Sequence, residues 1–468
     1  MEYVYKQKDR MEDELVETAK PLHEDEIKKI MDSWTFGGSI WSRPAIYEDL
    51  VIFGSNDGNL YALDKRSGEL RWKFLTGGIL LASPVISHGI VYIGSYDKKF
   101  YAIDAKTGRK IWEFLTGGRM AGTAAVIDDR IYFGTEDSKL YCLAKDGTKV
   151  WDFLTGGAII VTPAVVNGRV YFGSADNRVY CVENGRKVWS FLTGGCTGAP
   201  TIVDVRTGET VSGFRAEQKD SSAFSGRDED LRICFGSFDG YFYCLDIHGG
   251  QLWKFQADDV VGVMRGYTFA EGLIIFGAQK LFAADIRDGS KVWEFKGNDR
   301  FGDTGPLYHK SALFMGAYDG NMYALDAKTG KKIFVFRTGG PVISPPTLDN
   351  GILYFGSTDT YLYALDLEQG KTIWTFKTGA PPAPIAWRGW LKSHNPFQRL
   401  KRWWKAELPK SAYAKQEEKK VDWAQGYGTG SNPYKMESKD IAYFSGKDRE
   451  YLQKRDVDKE WREKRGLR

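Results

Sequence analysis

Residues 54–78 read GSNDGNLYALDKRSGELRWKFLTGG, and residues 94–118 read GSYDKKFYAIDAKTGRKIWEFLTGG. The two stretches align without a gap. The same unit starts again at Gly134, Gly173, Gly236, Gly277, Gly316 and Gly356. That makes eight units, spaced 39 to 41 residues apart except for one gap of 63 between Gly173 and Gly236. Self-similarity at such a period marks a repeat architecture, in which each unit buries its apolar face on its neighbours.

Each unit reads as four short strands. In the second, strand A is LASPVIS, followed by a turn at His88-Gly89. Strand B is IVYIGS, strand C is KFYAID and strand D is KIWEFL. Strands B to D alternate apolar and polar residues and are bounded by Gly and Asp turns. Asp-Gly at 57–58, 239–240 and 319–320 is hairpin chemistry, because these residues tolerate positive φ. Four antiparallel strands in about 40 residues define a propeller blade. The expected fold is therefore all-β: an eight-bladed propeller of four-stranded antiparallel blades over residues 34–380. Short helical extensions are expected on either side, an acidic one at 1–33 and a basic, Trp-rich tail at 381–468.

A tryptophan recurs in strand D, as Trp72, Trp112, Trp151, Trp189, Trp253, Trp293 and Trp374, with Phe334 in the remaining unit. Together with the Y-A-L-D-x-x-x-G runs at 61–68, 323–330 and 363–370, and the run at 101–108 with Ile in place of Leu, it resembles the pyrroloquinoline-quinone-like, or quinoprotein-like, propeller family. The resemblance implies that each ring docks on the next blade. A large flat ring suits a wedge between blades. One ambiguity stays open at this level. Trp34-Thr35-Phe36-Gly37-Gly38 mimics the end of a strand D, so nine such segments serve eight blades.

The resemblance covers enzymes and a non-enzymatic outer-membrane assembly lipoprotein. It implies pyrroloquinoline quinone and calcium only for the enzymes, whose equipment includes a disulfide between adjacent cysteines, a calcium site and a catalytic Asp. This sequence has no Cys-Cys pair, and no Cys-x-x-Cys or His-x-x-x-His for zinc. His23, His88, His248, His309 and His394 are scattered. Gly426-Tyr-Gly428-Thr-Gly430 follows no strand and reads as a linker. The expectation is a non-catalytic scaffold for protein–protein interaction or complex assembly, with no cofactor and no metal. The rival is a quinone- and calcium-dependent dehydrogenase.

Departures from the repeat point to a site. The fifth unit ends in Gln256-Ala-Asp258-Asp259 where others end in L-T-G-G, and the sixth ends in Lys296-Gly-Asn298-Asp299-Arg300. Arg265 and Asp303 follow them, and the turn Ala278-Gln279-Lys280 is two residues shorter than its peers. Asp258, Asp259, Arg265, Gln279, Lys280, Asp299, Arg300 and Asp303 are thus expected in one sector of one face, as a charged cluster for a polar ligand or partner loop. The long gap inserts about 204–230 between strands A and B. This polar stretch is expected on the opposite face, either as a mobile loop or as a partner-binding one.

Charge is uneven. Residues 381–468 carry 21 Lys/Arg against 12 Asp/Glu, a net +9, whereas residues 1–33 carry 6 Lys/Arg against 10 Asp/Glu, a net −4. Such asymmetry belongs to interaction segments. The tail holds six of the fifteen tryptophans, more than disordered segments carry. From Asn395-Pro396 a helical pattern places Phe397, Leu400, Trp404 and Leu408 on one face, with Arg399, Lys401, Arg402 and Lys405 around it, and Trp403 beside Trp404 as a further recognition residue. The tail is expected to pack on its own propeller, grip a protein partner, or contact a membrane surface. Interspersed acids disfavour nucleic acid. No apolar run spans a bilayer and no secretory signal is recognisable. Cys142, Cys181 and Cys244 share one repeat position, as buried thiols would. These features point to the cytoplasm.

Overall fold

The computed structural model describes residues 38–207, 209–212, 226–259, 267–301 and 304–379. They form eight antiparallel sheets, blades 1 to 8, over 45–75, 85–115, 125–154, 164–192, 201–256, 268–295, 307–337 and 347–377. Seven have four strands in the order A-B-C-D, and blade 5 has five. The inner strands of neighbouring blades touch around most of the ring, including those of blades 1 and 8, and the Gly339 N–H of blade 7 reaches Asp359 of blade 8, so the ring closes. The extensions at 1–33 and 381–468 lie outside the described residues.

Blade 2 shows how the sequence makes a blade. Strands Ile90–Gly94, Lys99–Asp104 and Lys110–Leu115 agree with the alternation pattern. Strands B and C are almost wholly buried between neighbouring blades, while strand D alternates because it is the outer edge. Strand A is shorter than expected, Val85–Ser87. The residues before it do other work. The Leu80 N–H donates to Ser55 O of blade 1 (3.3 Å), and Ile79 O accepts from the Tyr96 N–H of blade 2 (3.1 Å). The linker therefore bridges two B–C turns instead of pairing as strand, and Pro84 brings no N–H to a ladder.

The tryptophans make the seams. The Trp72 Nε1–H donates to Ala105 O (3.0 Å), Trp112 to Lys145 O (3.0 Å), Trp253 to Ile286 O (2.9 Å) and Trp293 to Ala327 O (3.0 Å). Every acceptor lies in the C–D turn of the next blade. The turn glycine faces the ring: a Cβ on Gly108 would lie 2.7 Å from the Trp72 indole, and one on Gly330 2.7 Å from Trp293. These glycines also have φ of 69° and 68°, so the position needs glycine for conformation and for clearance. Phe334 is the exception. A Cβ on its partner, Gly370, would meet nothing within 4 Å. The smaller ring leaves the seam between blades 7 and 8 underfilled and without the indole donor.

Closure is settled by the last blade, which keeps its own outer strand, Lys371–Lys377. Among the described residues no strand is exchanged across the join, and Trp34 to Gly37 lie outside them. Trp374 Nε1–H and Tyr354 OH both donate to Lys65 O of blade 1 (3.2 and 2.8 Å). The entering segment adds further bonds, from the Ile40 N–H to Ser357 O (3.1 Å) and from Ser39 Oγ–H to Thr358 O (3.1 Å). Ser344 Oγ–H donates to Ser42 O (2.7 Å).

The insertion in blade 5 departs from expectation. The chain turns after Asp204 and returns as Glu209–Ser212, which pairs on the inner side of strand A, Thr201–Asp204. This extra strand touches the inner strands of blades 4 and 6. It lines the channel side of the ring, and is not simply a loop on the far face. Val211 packs against the core cluster of blades 4 to 6, which rewards the pairing.

The underfilled seam predicts that Phe334→Trp stabilises the protein. A donor for Leu367 O and extra buried ring surface are together worth about 1 kcal/mol. Trp253→Ala should cost about 3 kcal/mol by leaving a cavity against Gly289. Thermal or denaturant unfolding of both variants checks this, and a destabilised F334W would contradict the account.

Candidate functional site

In most blades one carboxylate ties the D–A loop of the preceding blade to the B–C turn. Asp97 is representative. Its Oδ2 accepts from the Gly77 N–H of blade 1 (2.7 Å) and from Tyr101 OH of its own blade (2.6 Å). Its Oδ1 accepts from the Lys99 N–H (2.9 Å). The arrangement recurs at Asp176 with Gly156 and Tyr180, at Asp239 with Gly194 and Tyr243, and at Asp359 with Gly339 and Tyr363. Asp57, with Gly379 and Tyr61, closes the ring in the same way. In the L-T-G-G end, Thr76 Oγ1–H turns back onto Gly58 O and Gly78 O (2.9 and 2.7 Å), presenting the Gly77 N–H to Asp97. The motif is thus a loop shaped to meet a carboxylate.

Blade 6 lacks both halves of this clamp. Its short turn is closed by the Ala278 N–H on Lys280 O (2.8 Å), and no Asp is present. Phe282 stands where the other blades have the clamping Tyr, since a phenol would have nothing to bond. The charges are exchanged across the seam. Asp258 of blade 5 occupies the position of Gly77, and its Oδ2 lies 3.9 Å from Lys280 Nζ. Lys280 also holds Glu294 at 2.8 Å. Burial raises the Asp258 carboxyl above its ordinary range, partly offset by the Lys280 backbone N–H and charge. Glu294 is the main cause of the upward shift of Lys280.

The next seam is also modified. Asp299 Oδ1 accepts from the Arg300 N–H (2.8 Å), and the Asn298 N–H still reaches Asp319 Oδ2 (3.2 Å). Arg300 lies over the Tyr318 ring at 4.4 Å, a cation–π contact. Phe301 fills the space behind, wholly buried against Phe295 and Tyr323. The structure thus brings Asp258 and Lys280 together, places Gln279 exposed beside them, and sets Asp259, Asp299 and Arg300 in the flanking D–A loops. Arg265 and Asp303 lie outside the described residues. So do the tail candidates Phe397, Arg399, Leu400, Lys401, Arg402, Trp403 and Trp404.

Sequence reasoning missed Arg119, which holds the same repeat position as Arg300 and lies over Tyr96 at 5.6 Å. Tyr96 and Tyr318 are likewise equivalent, each following its strand B by two residues. Stacking the eight units would have revealed the pair, because the same column holds Ser39, Ile79, Ala158 and Pro341 in other linkers. Two arginines on aromatic faces suit a carboxylate-bearing or aromatic ligand segment.

Among the described residues no three of His, Cys, Asp and Glu converge on a metal site. All five cysteines are free thiols. Cys234 and Cys244 approach to 3.8 Å, but they face each other across two strands inside blade 5 and are buried. His88 and His248 sit in turns, as expected for surface histidines.

Comparison with known proteins adds four findings. The family model for outer membrane protein assembly factor BamB matches residues 28–126, 115–212 and 277–389, together more than half of the chain. The 1-butanol dehydrogenase (cytochrome c) of Thauera butanivorans is 27% identical over 97 residues, which are 18% of this chain and 14% of that enzyme's length. Among solved structures, BamB from Moraxella catarrhalis is similar with a TM-score of 0.52 and 20% identity, covering 68% of this chain and 91% of that one. Quinohemoprotein alcohol dehydrogenase from Comamonas testosteroni is similar with a TM-score of 0.55 and 13% identity, covering 70% and 71%. At these identities the likeness of the solved structures shows the fold alone.

The clamps predict an alkaline limit to stability. Burial, and then the neighbouring Asp, raises the phenols of Tyr61, Tyr101, Tyr243, Tyr323 and Tyr363, and pushes Tyr141 up to about 12. Unfolded phenols ionise near pH 10 (~10). The contribution is therefore complete below that pH and falls above it, as unfolded phenols release protons that folded ones keep. Absorbance at about 295 nm should show a class of tyrosines that ionises only on unfolding. Titration of every tyrosine in the folded state near its ordinary pKa would contradict the clamp.

Proposed function

We propose that this chain, which belongs to the family of the outer membrane protein assembly factor BamB, is a non-catalytic scaffold that holds a protein partner on its clamp face. The observation that carries this reading is the exchange at the seam between blades 5 and 6. A closed Asp–Tyr–Gly clamp is given up there for a half-buried pair at the surface, Asp258 and Lys280, 3.9 Å apart, beside exposed Gln279. So long an ion pair adds little stability, so the exchange costs the fold something and leaves hydrogen-bonding groups presented to a partner. Arg300 on Tyr318 extends the same surface.

The wider reading follows the same chemistry. Cytoplasmic residence and the absence of a quinone and calcium are parts of this proposal. Five free thiols fit a reducing compartment. The curated dehydrogenase relative supports the rival enzyme reading, but its match spans only 14% of that protein. No helix among the described residues is long and apolar enough to cross a membrane.

Affinity capture from native lysate with wild type and with Asp258→Ala/Lys280→Ala/Arg300→Ala tests the scaffold. The expected result is a partner set that loses at least one component about tenfold in the variant, with the propeller's melting temperature within a few degrees. An identical partner set would remove the clamp-face site. A dye-linked alcohol oxidation assay with added quinone and calcium tests the rival: saturable dye reduction would overturn the non-catalytic reading.

A further inference from the structure

The outer strand of each blade carries one position, three residues after the docking ring, that faces solvent at the end of strand D. In blades 1 to 4 it is leucine throughout: Leu75, Leu115, Leu154 and Leu192. They are 68%, 69%, 66% and 44% exposed. In blades 5 to 8 the same position is Gln256, Lys296, Arg337 and Lys377, all exposed. A single exposed leucine needs no explanation. Four in register on consecutive blades, replaced by polar residues on the other four, form half a belt.

We propose that this belt is the docking surface for the chain's own residues 380–468. Three observations choose that occupant. The last described residue, Gly379, sits where the belt begins. The Gly379 N–H donates to Asp57 Oδ2 of blade 1 (3.2 Å), and the Thr76 N–H, one residue after Leu75, donates to Gly58 O beside it (2.9 Å). The two directions around the ring then differ in charge. The segment carries a net +9 over 381–468. On one side lie the leucines, and on the other the cations Lys377, Arg337 and Lys296, which repel it. The segment also brings matching groups, six tryptophans in 89 residues, beginning at Trp387 and Trp390. At about 3.3 Å per extended residue it far exceeds the half-circumference of a propeller. Aromatic and leucine side chains associate by burial, which salt does not screen.

The purified full-length chain carries the test. A photo-crosslinking benzoylphenylalanine replaces Leu115 in one preparation and Arg337 in another, each mixed with isotopically labelled wild type. Adducts from position 115 into residues 380–468 of the same chain, at least fivefold more abundant than from position 337, are the expected result. Adducts that join labelled to unlabelled chains would identify a second copy as the occupant and overturn the proposal, as would the absence of adducts to residues 380–468. A second measurement needs no probe. Leu75→Ser/Leu115→Ser/Leu154→Ser/Leu192→Ser should speed trypsin cleavage beyond residue 380 at least fivefold, at low and high salt alike, with an unchanged melting temperature. Ile333→Ser/Ile373→Ser, exposed on the other half, should not. Equal cleavage rates in wild type and the leucine variant would overturn the belt.

Discussion

The structure depends on a flat ring pressed against a glycine turn. Strand D delivers an indole to the neighbouring blade, where a positive-φ glycine gives it clearance and, at most seams, a turn carbonyl accepts its N–H. A blade alone cannot bury the apolar faces of its strands B and C. Only the next blade covers them, so blade folding and ring assembly are one event. The glycine cannot change without displacing the ring, and the ring cannot shrink without leaving space, as Phe334 and Gly370 show. This coupling explains why the same two residue types recur together through so much otherwise altered sequence.

A closed ring must join its first and last blades without special chemistry if each blade is a contiguous stretch of chain. Here the join uses the general rules. Trp374 docks on the Lys65–Gly68 turn, and Gly379 meets Asp57 through the clamp that serves the other seams. The entering residues Ser39 to Ser42 add backbone and hydroxyl bonds to blade 8. Because closure is made of ordinary contacts, blade 5 can accept a fifth strand at its inner edge while the ring stays closed.

The clamp face shows how such a fold acquires a site. Each clamp satisfies one carboxylate with backbone N–H and phenol donors, so the loops there are rigid and inward-bonded. Where Asp is lost, Tyr goes with it, because a phenol with no acceptor has no reason to stay. The change from Gly–Asp to Asp–Lys across the seam of blades 5 and 6 keeps an attraction between the loops and moves it outward. Function, in a fold that supports many activities, resides in such local exceptions.

The amino-acid sequence by itself determined the number of blades, the strands B, C and D of each, the docking rings and the sector in which the repeat breaks. These are encoded locally, in period-2 alternation and in residues that recur at fixed spacing. Only the tertiary structure showed how blade 8 meets blade 1, because Trp374 finds its acceptor, Lys65 O, 309 residues back along the chain. It alone showed that Asp258 meets Lys280, a pairing set by two loops on different blades. It also corrected the insertion. Glu209–Ser212 is too short and polar to announce a strand, and becomes one because strand A of blade 5 offers a free inner edge and the core takes Val211. Short strands owe their existence to the edge they pair with, and an edge exists only once the chain has folded.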